Sequence, residues 1–326
     1  MDQQQPNISH PGHPTLARAA MEGLDGSLIR AVFAEGAGLD GVIPLWFGEP
    51  DVVTPEFIRA AAKQSLDAGE TFYNSNFGID PLRAAIATYQ AGLGRASGFE
   101  RICVTTSGVN AIMLVCQALL DPGDRVVLPE PYWPNLAGIP RVLGAEIVTV
   151  PLSLDASLGS DAAWSIDMDA LLAALTPGTR MVILNAPANP TGWMLSRAEQ
   201  EILLAHCRRH GIWILADDVY ERLVFDARAS SSFLDIAAPD DRVVAINSFS
   251  KSWAMTGWRL GWITAPVSLM TALGKISEFN VSCAPPFIQR AGIAALEQGE
   301  PFIAETVARY RALLSLIHIS EPTRPY

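Results

Sequence analysis

A chain of 326 residues with 49% hydrophobic and 17% charged side chains is a globular protein with a sizeable core, which excludes a disordered or fibrous chain. Its formal net charge of −11 excludes nucleic acid as a main partner, while leaving open a cleft of opposite local sign. The apolar runs are too short to span a bilayer and Met1–Pro14 lacks a basic-then-apolar leader, so the expected setting is the cytoplasm.

In chain order, a polar lead precedes a predicted helix over Thr15–Phe33. Helices over 53–69 and 80–92 follow, with Thr54-Pro55 and Asp80-Pro81 as cap-and-first-turn pairs. From about residue 99 to 265 short apolar runs read as seven strands: Arg101–Thr105, Arg125–Leu128, Glu146–Val150, Met181–Leu184, Trp213–Ala216, Arg242–Asn247 and Leu260–Thr264. Predicted helices lie between most of them. Val109–Leu120 stops at Asp121-Pro122-Gly123, Met168–Leu175 stops at Thr176-Pro177-Gly178, and Ser196–His210 opens on a Ser196/Glu199 capping pattern and closes at Gly211. After Pro266 the pattern is helical to about Leu314. This alternation predicts an α/β fold, a mostly parallel seven-stranded sheet covered by helices on both faces, with the ligand site at the carboxyl ends of the strands.

The four cysteines, Cys103, Cys116, Cys207 and Cys283, have neither C-x-x-C spacing nor a His at ligand spacing, and read as buried thiols with no metal site. The chain has only three lysines, Lys63, Lys251 and Lys275. Lys251 follows a predicted strand and stands among Ser248, Ser250, Ser252 and Arg259. A lysine at a strand end can act as a covalent nucleophile, and hydroxyls with an arginine can hold a phosphate. Other strand ends carry Thr106-Ser107-Gly108-Val109-Asn110, Pro131-Tyr132-Trp133-Pro134, Asn185–Gly192 and Ala216-Asp217-Asp218-Val219-Tyr220. Small residues opening a helix let backbone N–H groups approach an anion. Taken singly, these features also suit surface residues, turns and helix caps.

The stretch Ser248–Gly261 resembles the S-x-S-K-x-x-x-x-x-G-x-R-x-G signature of class I/II aminotransferases, which use pyridoxal 5′-phosphate. Asn185–Gly192 is similar to the family's N-P-x-N-P-T-G turn, with Ala186 in place of the first Pro, and Leu45–Asp51 is similar to its G-E-P-D turn. The resemblance covers about residues 45–314 and implies roles. Lys251 would hold the cofactor covalently. Ser248 and Arg259, with Ser107, Gly108 and Val109, would bind its phosphate. Asp217 would face its pyridine nitrogen, Asn189 and Tyr220 its 3′-oxygen, and Tyr132 would stack on the ring. Gly48 would border the substrate carboxylate, alongside Asn189. Asp218 would be structural. Tyr73, in Tyr73–Gly78, would reach the phosphate of a partner subunit, implying a homodimer with shared sites.

The resemblance further implies an N-terminal segment of a small domain over 1–44, a cofactor domain over 45–275 and the start of a second small domain over 276–313. The stretch Leu314–Arg324 resembles a translated sequencing adapter, so 314–326 is expected to be artefactual and the reading frame truncated. The Arg that clamps the substrate carboxylate in the family has no counterpart after Ala312. The expected activity is ping-pong transfer of an amino group between an L-amino acid and a 2-oxo acid, with Lys251 moving the Cα proton. Alternatives are a C–S lyase on the same fold, a non-catalytic sensing domain, for which 1–14 leaves no room for a helix-turn-helix, and an inactive fragment.

Overall fold

The structure, a computed structural model, describes residues 17, 19–24, 26–95, 97–155 and 163–317. At its centre is an eight-stranded sheet of β1 (Ile102–Thr105), β2 (Arg125–Glu130), β3 (Glu146–Leu154), β4 (Trp164–Ile166), β5 (Thr179–Asn185), β6 (Trp213–Asp217), β7 (Val243–Ser248) and β8 (Gly261–Thr264), in the spatial order β1-β8-β7-β6-β5-β2-β3-β4. β3, β2, β5, β6 and β7 run parallel. β8 is antiparallel to both its neighbours, β1 and β7, and β4 is an antiparallel edge strand on β3.

The strands are apolar throughout because helices bury both faces. Alternate residues serve alternate faces. On one face Cys103, Ile263, Val244, Ile246, Leu215, Ile183 and Val126 pack with α5 (Gly108–Leu119), α6 (Asn135–Val142) and α9 (Val267–Asn280). On the other, Val127, Val182, Leu184, Ile214 and Ala216 pack with α7 (Met168–Ala174) and α8 (Arg197–His210). Beyond β7 that face continues into a third core, where Ile102, Val104 and Trp262 meet α3 (Glu56–Asp67), α4 (Asp80–Gly92) and α10 (Pro286–Gln298).

All seven expected strands are present. The eighth, β4, is three residues long, too short to carry a periodic signal. Helix α6 was not expected because Gly138 and Pro140 lie inside it. The helix expected over Thr15–Phe33 is instead two, α1 (Ala19–Glu22) and α2 (Leu28–Gly36), and residues 15, 16, 18 and 25 lie outside the described residues. α8 carries the expected capping box, Ser196 with Glu199, and Gly211 closes it in the left-handed region at φ 67°. Thr54 does not cap α3. Its hydroxyl donates to the carbonyl of Ala254 at 2.6 Å, a contact 200 residues distant in sequence. The last helix, α11 (Glu300–Ile317), runs past Leu314, and 318–326 lie outside the described residues.

Candidate active site

The sheet sets the site by register. Asn185 pairs with Asp217 across β5 and β6, and Gly261 pairs with both Ser248 and Thr105 across β7, β8 and β1. The carboxyl ends of β1, β5, β6 and β7 therefore stand along one edge, and the residues just beyond them share a cleft.

An anion cradle forms where β1 turns into α5. Ser107 caps the helix, its Oγ accepting from the N–H of Asn110 at 3.0 Å, and Thr105 Oγ1 donates to the Ser107 carbonyl at 2.9 Å. The N–H groups of Gly108 and Val109 belong to the first turn and have no partner within the helix. The Val109 side chain packs into the first core, leaving its backbone as the available group. A Cβ on Gly108 would lie 3.2 Å from Ser248 Cβ, and one on Gly261 would lie 2.8 Å from both Gly108 N and Ser107 C. Only glycine at 261 lets β8 pack this closely under the turn. Ser248 Oγ lies 2.9 Å from Ser250 Oγ. Arg259, at φ 54°, donates from Nη1 to the Thr256 carbonyl at 2.7 Å and has no carboxylate partner among the described residues.

Lys251 Nζ donates to the Gly48 carbonyl and lies 5.7 Å from the centre of the Tyr220 ring. Burial lowers its pKa; the charge of Arg259 also lowers it, against the opposing pull of Glu49 and Asp217. Asp217 is 3% exposed. Its carboxylate accepts one hydrogen bond, from the Val219 N–H at 3.4 Å, and burial raises its pKa to about 7 despite that bond and the Lys251 charge. Such a carboxylate lacks a hydrogen-bonded cation. Tyr220 is pushed up to about 12 by burial and by Asp217, against a hydrogen bond with the Asn189 side chain.

Asn185, to which the sequence assigned no role, ties these groups together. Its Nδ2 donates to the Asp217 carbonyl at 3.0 Å and its Oδ1 accepts from the Asn189 N–H at 2.7 Å. It stands at the head of the Asn185–Gly192 turn, so the signal was present as position within a motif. Tyr132 lines a small cavity with Asn185, Asn189 and Trp193. Asp218 points away from this cluster, its Oδ2 accepting from Ser232 Oγ at 2.6 Å.

The structure thus brings together Lys251, Asp217, Tyr220, Asn189 and Arg259, with Ser107, Gly108, Ser248 and Gly48 beside them. Tyr73 is not among them: it is 91% exposed on the surface. The donor set suits a phosphorylated pyridine. It offers helix N–H groups, hydroxyls and an unpaired arginine for the phosphate, and a buried carboxylate suited to a protonated ring nitrogen. Among the described residues no cluster of His, Cys, Asp and Glu could hold a metal ion.

Residues 40–318 match the family model described as aminotransferase class I and II. The chain is 32% identical over 272 residues to an aspartate aminotransferase of Musicola paradisiaca, covering 83% of this chain and 66% of that one. It is 35% identical over 277 residues to an arginine–pyruvate transaminase of Pseudomonas aeruginosa, covering 85% and 69%. The chain spans about two thirds of the length of these curated relatives. In three dimensions it superposes on the aspartate aminotransferase of Rhizobium meliloti with a TM-score of 0.83 at 32% identity, covering 92% of this chain and 75% of that one. Matched along most of its length in sequence and in fold, the chain belongs to the class I and II aminotransferase family.

Proposed function

We propose that this chain carries the reaction centre of a pyridoxal-phosphate-dependent aminotransferase that moves an amino group between an L-amino acid and a 2-oxo acid. The observation that carries the reading is that Lys251, its pKa lowered by burial, feels both the buried Asp217 carboxylate and the Arg259 guanidinium, in a cleft whose edge carries the anion cradle. When bound, pyridoxal 5′-phosphate supplies an electron sink for charge developing at the substrate Cα.

The chain's residues have separable tasks. The N–H groups of Gly108 and Val109, the hydroxyls of Ser107 and Ser248 and the guanidinium of Arg259 hold the phosphate. Asp217 keeps a proton on the ring nitrogen. Tyr220 and Asn189 would hold the 3′-oxygen, and Tyr132 would contact the ring. Lys251 Nζ is the covalent attachment point. With its amine free it would take the Cα proton of the substrate, for which its lowered pKa suits it. The Gly48 carbonyl, already a partner of Lys251 Nζ, borders the substrate side.

The exposed Tyr73 fits a homodimer in which it serves the second copy's cradle. The four unpaired cysteines, three of them buried, fit a cytoplasmic setting. No helix among the described residues is long and apolar enough to cross a membrane. Residues 45–275 are read as the cofactor domain, and 1–44 and 276–313 as parts of a smaller one.

Borohydride reduction of the loaded protein followed by peptide mapping tests the assignment. The label is expected on Lys251, and a label on Lys63 or Lys275 overturns it. Incubation with single amino acids should yield a 2-oxo acid without free ammonia; release of ammonia and pyruvate would mark a lyase instead.

A further inference from the structure

The segment from Asp217 to Arg222 sends successive residues to opposite sides. Asp217 and Tyr220 enter the cleft. Their chain neighbours Asp218 and Glu221 are 4% and 3% exposed and enter a separate polar network behind it. At the centre of that network is Arg95, 2% exposed, just beyond the end of α4. Its Nη1 donates to Glu221 Oε2, its Nε to Asp235 Oδ1 at 2.8 Å and its Nη2 to the Ser230 carbonyl at 2.9 Å. Tyr89 donates to Glu221 Oε1 at 2.8 Å, and Ser232 to Asp218. The backbone is pinned in the same places: Asp218 N–H to the Ile246 carbonyl at 2.8 Å, Glu221 N–H to the Asp218 carbonyl at 2.9 Å and Ser230 N–H to the Glu221 carbonyl at 2.8 Å.

We propose that Arg95 is a positioning residue for the reaction centre: by holding Glu221 and balancing Asp218 it fixes where Asp217 and Tyr220 stand. This rests on the reading of the site given above. Three carboxylates, Asp218, Glu221 and Asp235, act on the Arg95 guanidinium. Asp235 is also paired with Arg197 at 3.6 Å, whereas Asp218 and Glu221 have no other ion-pair partner among the described residues, so their charge balance depends on Arg95. Without it, two buried carboxylates are left uncompensated, and such groups move or take up protons. Either response is passed directly to the cleft, because the affected residues are bonded neighbours of Asp217 and Tyr220. The electrostatics run the same way: Arg95 favours the charged form of Asp218, while Asp217 opposes it.

Arg95→Lys keeps the charge and loses the three-way geometry, and Tyr89→Phe removes one bond to Glu221 while leaving the charges intact. Arg101→Lys is the control. Arg101 is comparably buried and donates to the Ala265 carbonyl at 3.1 Å, outside the network. The first readout is amide hydrogen exchange over 217–223 in the protein without cofactor. Both network variants should speed exchange there and leave 185–192 unchanged, and the control should not. The second is half-reaction kinetics of the loaded protein. A displacement on the order of an ångström at the reacting groups lowers rates by about tenfold to a hundredfold, so Arg95→Lys should lower kcat far more than it alters KM. Unchanged exchange over 217–223 together with unchanged kcat in both network variants overturns the proposal, even if their melting temperatures fall. If the wild type takes up no pyridoxal phosphate, the reading of the site fails on its own, while the exchange measurement still decides whether Arg95 anchors the segment.

Discussion

Asp217→Asn should reverse part of the pH dependence of folding in the protein without cofactor. Burial raises the Asp217 carboxyl to about 7 in the folded chain, against about 3.9 for a free side chain. A group that holds its proton more tightly when folded stabilises the fold fully below about pH 4, and that contribution is lost as pH rises through about 7. At about 1.4 kcal/mol per pH unit, the interval corresponds to about 4 kcal/mol. Asparagine has no proton to lose and can still accept from the Val219 N–H. It also relieves Asp218, itself raised to about 7, of a neighbouring like charge. Carboxylates held low by arginine, such as Glu70 at about 2 beside Arg290, do not titrate in this window.

The assay is urea unfolding of the two proteins at several pH values from about 4 to mildly alkaline. The variant is expected to match the wild type or fall below it near about pH 4, to gain on it as pH rises from about 4 to about 7, and to keep a constant advantage of up to about 4 kcal/mol above that. In the loaded protein the carboxylate would face a protonated ring nitrogen, so the wild type should lose this pH slope. Parallel profiles for wild type and variant without cofactor would refute the reasoning, because they would mean that Asp217 is charged in both folded and unfolded chains.

Asp217→Ala should slow the amino-acid half-reaction by about a hundredfold or more, the scale set by losing a preorganised charge, and Asp218→Ala should slow it less; equal losses in stopped-flow kinetics would show the two roles to be reversed. Gly261→Ala places a methyl 2.8 Å from three backbone atoms, Asn247 O, Gly108 N and Ser107 C. Overpacking of this kind costs about 1–3 kcal/mol, and the displaced turn should bind pyridoxal phosphate more weakly in a fluorescence titration; unaltered affinity would show that the turn does not depend on that contact.

The sheet was legible because strands buried on both faces are nearly unbroken apolar runs, and the site because its groups follow those runs directly. Lys251, Asp217 and Asn189 could each be placed at a strand end from local sequence. Four features could not. β4 is too short to show periodicity, and α6 hides behind Gly138 and Pro140. The bond from Thr54 to Ala254 and that from Arg95 to Glu221 join residues 200 and 126 positions apart, which no local pattern encodes. Buried arginines are rare, yet Arg95 lies among Gly94, Ser97 and Gly98, a setting that reads as a solvated turn. Tertiary pairing alone distinguishes it from its exposed counterparts.

The direction of β8 accounts for how one connection carries Ser248, Lys251 and Arg259 together. A parallel β8 would begin at the opposite edge of the sheet, and the chain leaving Ser248 would have to cross the whole sheet to reach it, as parallel crossovers do. Because β8 runs antiparallel to β7, Ser248 and Gly261 are register partners, and residues 249–260 form a loop that leaves and returns at one edge. Ser248 opens that loop, Lys251 lies on its outward limb and Arg259 on its return, so the proposed attachment point and two proposed phosphate ligands come from twelve consecutive residues. The same reversal places Gly261 level with Thr105 on β1, directly beneath the turn that begins α5. The spacing between lysine and arginine in this stretch is therefore a consequence of sheet topology: the loop must be long enough to present Lys251 to the cleft and short enough to bring Gly261 back into register.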